Sequence, residues 1–65
     1  MLMRLEIQRL DGDGFNVMRS LTVSSKDAPE YEKSLQSLRE QREMWARDYY
    51  RGRKFRITCD NRLIE

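Results

Sequence analysis

Residues 11–14 read Asp-Gly-Asp-Gly, and they stand between two runs in which polar and apolar side chains alternate. No other feature restricts the fold as much. Before the turn, Met3, Leu5 and Ile7 alternate with Arg4, Glu6 and Gln8, and Leu10 ends the run. After it, Phe15, Val17, Leu21 and Val23 share one parity. A strand sends successive side chains to opposite faces, so each run reads as a half-buried strand with its apolar set facing a core. Glycine supplies the positive φ that a tight hairpin turn needs. The two runs therefore predict an antiparallel pair, with strands over residues 2–10 and 14–24. Arg19 interrupts the second run, and marks either a β-bulge or a stretch that no other layer covers.

Ser24-Ser25-Lys26 closes the second strand, and the period then changes. Asp27-Ala28-Pro29-Glu30 reads as a helix start, with Asp27 as N-cap, Glu30 as its acidic partner at N3 and Pro29 in the first turn. A helix is predicted over 28–51, with Gly52 just past its end. At 100° per residue, Tyr31, Leu35, Leu38, Trp45 and Tyr49 fall within an arc of roughly 80° that faces the sheet. Arg42 falls in the middle of this arc, so it must snorkel, pair with an acid or meet a partner. Met44 lies about 140° from the arc and points outward. Beyond Gly52, Phe55, Ile57 and Cys59 alternate with Lys54, Arg56 and Thr58, which predicts a third strand over 54–60. Asp60-Asn61 turns the chain, and Leu63-Ile64 is expected to tuck back onto the core. The fold class is α+β: a ββαβ unit with a three-stranded, mainly antiparallel sheet in the order 2-1-3 and one long helix on one face. Arg19, Lys54 and Arg56 read as charges that discourage pairing at the sheet edges.

A chain of 65 residues makes one domain, residues 1–65, and its 38% hydrophobic against 37% charged side chains leave a thin core. The single cysteine, Cys59, rules out an intrachain disulfide framework and suits the cytoplasm. Arg4, Glu6 and Arg9 interrupt the N-terminal apolar residues, against a secretory signal, and no stretch approaches a membrane span.

Catalysis is disfavoured most clearly. Histidine, the commonest general base and metal ligand, is absent. Cys59 sits at an apolar position of its strand without a histidine partner, and Ser24, Ser25 and Lys26 share one turn with no second element to set a geometry. Asp11-Gly12-Asp13-Gly14 resembles the start of a calcium loop, but Phe15 and Thr22 stand where that pattern needs oxygen ligands. No catalytic residue, metal site or cofactor is expected.

The charge distribution points to recognition. Residues 1–32 hold four basic and six acidic side chains, whereas residues 33–65 hold nine basic and five acidic; ten of the thirteen basic residues are arginine. From Arg47 to Arg56, five cations and three aromatics stand against one acid, Asp48. Helix capping and core packing account for Arg47, Arg51, Tyr49 and Phe55, but do not require Arg53, Lys54 and Arg56 as well. The expected partner surface is Met44, Arg47, Tyr50, Arg51, Arg53, Lys54 and Arg56. Its favoured partner is a protein, since arginine and tyrosine anchor such interfaces. Nucleic acid is the alternative, through phosphate contact and base stacking. A helix of about 36 Å is longer than strands of roughly 25–30 Å, so its last turns are expected to overhang the sheet. An overhang bearing Trp45 and Tyr49, with Arg42 below them, would serve a homodimer.

The small size, lone ββαβ unit and high charge resemble small accessory proteins of phages and prophages, including the anti-CRISPR and related anti-defence inhibitors. The resemblance is one of outline. It implies a non-enzymatic inhibitor that binds and blocks a larger machine in the host cytoplasm.

Overall fold

The computed structural model describes residues 2–65. Strand β1 (Met3–Asp11) pairs antiparallel with β2 (Gly14–Val23) through a two-residue loop, in which Gly12 takes the positive φ of +65° at the first central position. Helix α1 (Pro29–Met44) follows and runs into a π-helical turn, Trp45–Tyr49. Strand β3 (Phe55–Cys59) returns along the free side of β1, antiparallel to it. The order 2-1-3 is therefore present, with a fourth strand added: β4 (Arg62–Leu63) pairs antiparallel with β3, giving β2-β1-β3-β4. Asp60 and Asn61, at φ of +50° and +68°, form the two-residue turn between them, a conformation that Asp and Asn tolerate better than most residues.

The helix lies on one face of the sheet. Leu5 and Ile7 of β1, Val23 of β2, Ile57 and Cys59 of β3, and Leu35 and Leu38 of α1 form the buried core. Met3, Met18, Leu21, Tyr31, Trp45, Phe55 and Ile64 pack around it. Cys59 is a free thiol used as a small core hydrophobe. No helix among the described residues is long and apolar enough to cross a membrane.

Several expectations need correction. Asp27 is not the N-cap. The cap is Ala28, at φ −72° and ψ 142°, without a side-chain cap bond. The residue before a proline is pushed out of the helical region, so the helix cannot begin until Pro29. Glu30 instead reaches back to the end of β2, accepting from the Ser24 N–H at 3.2 Å and its hydroxyl at 2.8 Å. These bonds hold its carboxyl below the usual carboxylate range.

Strand β2 does not keep its apolar side chains on one face. Ile7 pairs with Arg19 but Gln8 pairs with Val17, so Met18 is the extra residue of a bulge. One inserted residue reverses the side-chain alternation. Leu21 and Val23 face the helix, whereas Phe15 and Val17, opposite Leu10 and Gln8, face the other way. Met18 fills the core at the bulge, and Arg19 reaches the helix margin, donating to Gln41 at 3.3 Å. Leu63 and Ile64 also divide: Ile64 packs on the core, while Leu63 is exposed.

The helix is α-helical only to Met44. In the turn that follows, the Tyr50 N–H donates to the Trp45 carbonyl five residues back, at 2.6 Å. A π turn advances less per residue than an α turn. The aromatic that meets Trp45 is therefore Tyr50, edge-on, and Tyr49 is left 68% exposed rather than on the buried arc.

Candidate interaction surfaces

The basic and aromatic segment 47–56 does not form one surface. Its inner part is an ordered cluster at the end of the helix. Trp45 stacks on Phe55 with centroids 6.3 Å apart, and Tyr50 meets Trp45 edge-on at 6.2 Å. Arg9 of β1 lies over the Tyr50 ring at 4.6 Å. Trp45 and Tyr50 thus fold back onto the sheet instead of overhanging it.

Asp11, at the hairpin turn, is the hub of this end. Its carboxylate accepts two bonds from Arg9, both at 2.8 Å, one from Asn16 at 2.7 Å and one from Arg53 at 2.9 Å. Bonding to the ionised form, chiefly from Arg9 and then Asn16, holds the Asp11 carboxyl down at about 2. Arg53 is therefore bound to the turn that precedes β2, a use for this cation that the sequence did not disclose.

The outer part of the cluster is solvent-facing. Arg47 pairs with Asp48 at 3.0 Å, and the Arg51 guanidinium donates to the Arg47 carbonyl at 2.9 Å, capping the end of the helix. Tyr49, Arg51 and Lys54 are exposed, and Met44 is half-buried. The Arg42 expectation resolves within the chain: with Arg39, it holds Glu65. Arg39 donates from Nε at 2.6 Å, and Arg42 pairs at 3.3 Å. The two guanidiniums, Arg39 first, keep the Glu65 carboxyl below its ordinary range. Glu65 also exchanges backbone bonds with Ile57, so this clamp ties the segment beyond β4 to both sheet and helix.

Arg56 lies on the opposite side of the sheet. Its Nε donates to Gln8 at 2.6 Å, and its guanidinium sits over the Phe15 ring at 3.8 Å. The Gln8 amide in turn donates to Glu6 at 2.9 Å and approaches the Thr58 hydroxyl at 3.5 Å. Glu6, Gln8 and Thr58 are each less than a tenth exposed, although no second layer covers them. Neighbouring side chains and this network close over one another at the centre of the open face.

Around that centre apolar side chains stand among polar ones such as Arg4, Ser20 and Thr22. Leu63 pairs with Thr58 and so shares the face of Glu6. Leu10 and Phe15 are half-buried at the hairpin end, beside the exposed Val17. At the other end a cleft of about 370 Å³ is lined by Leu2, Met3, Arg4, Glu6, Thr22, Asp60 and Asn61. One sign of this surface is legible in the sequence, the interruption at Arg19. A bulge there reverses the parity of Phe15 and Val17.

Among the described residues no group of acidic or cysteine side chains is placed to hold a metal ion. No family model, curated protein or solved structure matches the chain.

Proposed function

We propose that this chain is a non-enzymatic protein-binding module that engages its partner through the open face of the sheet. One observation carries the reading. Of the four large hydrophobic side chains exposed among the described residues, three lie on or border that face: Leu2 at 69%, Val17 at 52% and Leu63 at 66%. Exposed apolar groups spread over one face from β2 to β4, with an aromatic and an arginine on the same face, are residue types that interfaces use. The polar centre supports it too, because Glu6, Gln8 and Thr58 are already withdrawn from water and bonded to one another. Covering Gln8 and Thr58 strands no unpaired amide or hydroxyl group. The role we assign is that of a cytoplasmic inhibitor or adaptor of a larger assembly, as the resemblance to phage accessory proteins implies.

The test is capture of partners from a nuclease-treated lysate. The double variant V17D/L63D is expected to lose the captured protein while keeping its circular dichroism spectrum. Unchanged capture would remove the open face from consideration. A second copy of the chain is the other protein partner to be considered, and sedimentation of the purified protein at high concentration measures it.

A second reading follows from the helix end. Tyr49 stands 68% exposed, with Arg51 and Lys54 nearby in sequence and Arg47 on the same turn. That combination suits stacking and phosphate contact, so RNA or DNA is the alternative partner. It predicts retention on nucleic acid that falls steeply from about 50 to 200 mM salt and is lost in R51E/K54E. No retention at low salt eliminates it.

A further inference from the structure

We propose that the cleft at the end of the open face receives a cationic side chain, arginine or lysine, from the protein partner. The inference rests on the open-face reading and adds the chemistry of the contact. Glu6 is the one charged residue among the buried residues described, at 8% exposure, and it lines the cleft. Three other carboxylates have guanidinium partners, Asp11 with Arg9 and Arg53, Asp48 with Arg47, and Glu65 with Arg39 and Arg42, while the exposed Glu30 is held by Ser24. Glu6 has none within ion-pair distance among the described residues. Its recorded side-chain bond is a neutral one, from the Gln8 amide to Oε1.

A largely buried carboxylate whose side-chain bond is to a neutral amide has no counter-charge, and a cation beside it is rewarded more than on an open surface. The rest of the lining suits such a group. Asp60 adds a second carboxylate, and Thr22 and Asn61 add oxygen acceptors. Leu2 gives an apolar wall for the methylene stem. At about 370 Å³ the cleft is near the lower limit of small-ligand sites, which suits a single inserted side chain. Arg4 also lines it and leaves the two acids a net charge of −1. Among the described residues its side chain makes no hydrogen bond or ion pair, whereas its backbone N–H donates to Asp60 at 2.9 Å. Arg4 therefore opposes the incoming cation without being fixed in its place.

The test uses capped amino acids as probes, with amide chemical shifts of Glu6, Thr22 and Asn61 as the readout. N-acetyl-arginine methylamide is expected to bind at these amides. The citrulline analogue, equal in shape but uncharged, is expected to bind at least about tenfold more weakly. Glu6→Gln keeps the acceptor for Gln8 and hence the fold, and should weaken the arginine probe by a similar factor. Arg4→Gln should tighten it. Equal binding of the two probes, or an undiminished affinity in Glu6→Gln, overturns the proposal. Tighter binding of the free diamine putrescine than of capped arginine or capped lysine overturns the assignment to a protein partner. Should the probes fail while V17D/L63D still abolishes capture, the cleft inference falls and the open-face reading stands.

Discussion

The two faces of this sheet bury residues by different means. Toward the helix, Leu5 and Ile7 of β1 meet Cys59 and Ile57 of β3, and the apolar side chains of α1 close over them. On the other face, Glu6 and Gln8 of the same strand meet Thr58 and Arg56, and no other element of the described residues lies above. Both sets are largely withdrawn from water. The first is shielded by another layer, and its stability comes from apolar area and packing. The second shields itself, by laying long polar side chains over a hydrogen-bonded centre. The consequence is that only the second face is already desolvated at its middle while still open to a partner.

The largest expected effect lies on the helix side. Leu38→Ala opens a cavity at a fully buried position and should cost about 2–5 kcal/mol in denaturant melts, a large part of what so small a fold possesses. A smaller value would mean that the helix resettles on the sheet and that the two faces differ less than described. Next is Gln8→Leu, which removes the donor to Glu6 and the acceptor for Arg56. It should cost roughly 1–3 kcal/mol, because it leaves polar groups unpaired although it adds apolar surface. A stabilised variant would show that the open face is an ordinary solvated one.

The helix end supplies a pH test. The Asp11 carboxyl is depressed from 3.8 to about 2, so the unfolded chain binds its proton more readily than the folded one. Its contribution is fully present above about pH 4 and is lost as the pH falls through about 2. Glu65 is depressed as well and shares this acid limb. Asp11→Asn should flatten part of the fall in melting temperature over that range, while lowering stability at neutral pH. An unchanged acid profile would disconnect the hub from folding. The smallest effect is expected at Val17→Ser, within about 0.5 kcal/mol, because this side chain is 52% exposed and contributes to recognition instead of folding.

The candidate surfaces were legible only in part. Arg42 could be identified from its position on the helical arc, and a paired acid was one of the outcomes its burial demanded. That the acid is Glu65 was not visible, since the two are brought together only when the segment after β4 returns along Ile57. Arg53, Arg56 and Tyr50 read as one patch because they are close in sequence. The fold sends them to the hairpin turn, the open face and the aromatic cluster respectively.

What the sequence by itself determined was the order of the hairpin, the helix and the third strand, without the short β4. Period-2 alternation, the Asp-Gly-Asp-Gly turn, the helical arc and the second alternating run are local features, and local backbone sterics and burial suffice to fix them. The tertiary structure decided the faces. A single extra residue at Met18 turns Phe15 and Val17 away from the core, and a single wide turn after Met44 exchanges Tyr49 for Tyr50. Each shift is accommodated because the reward lies in contacts distant in sequence: Met18 against the core, Tyr50 against Phe55 and Arg9. A periodic pattern carries no record of such contacts. Beyond the Asp-Gly-Asp-Gly turn, the alternation that predicted one apolar face for β2 divides into two at Met18, and the outward half belongs to the surface proposed to bind.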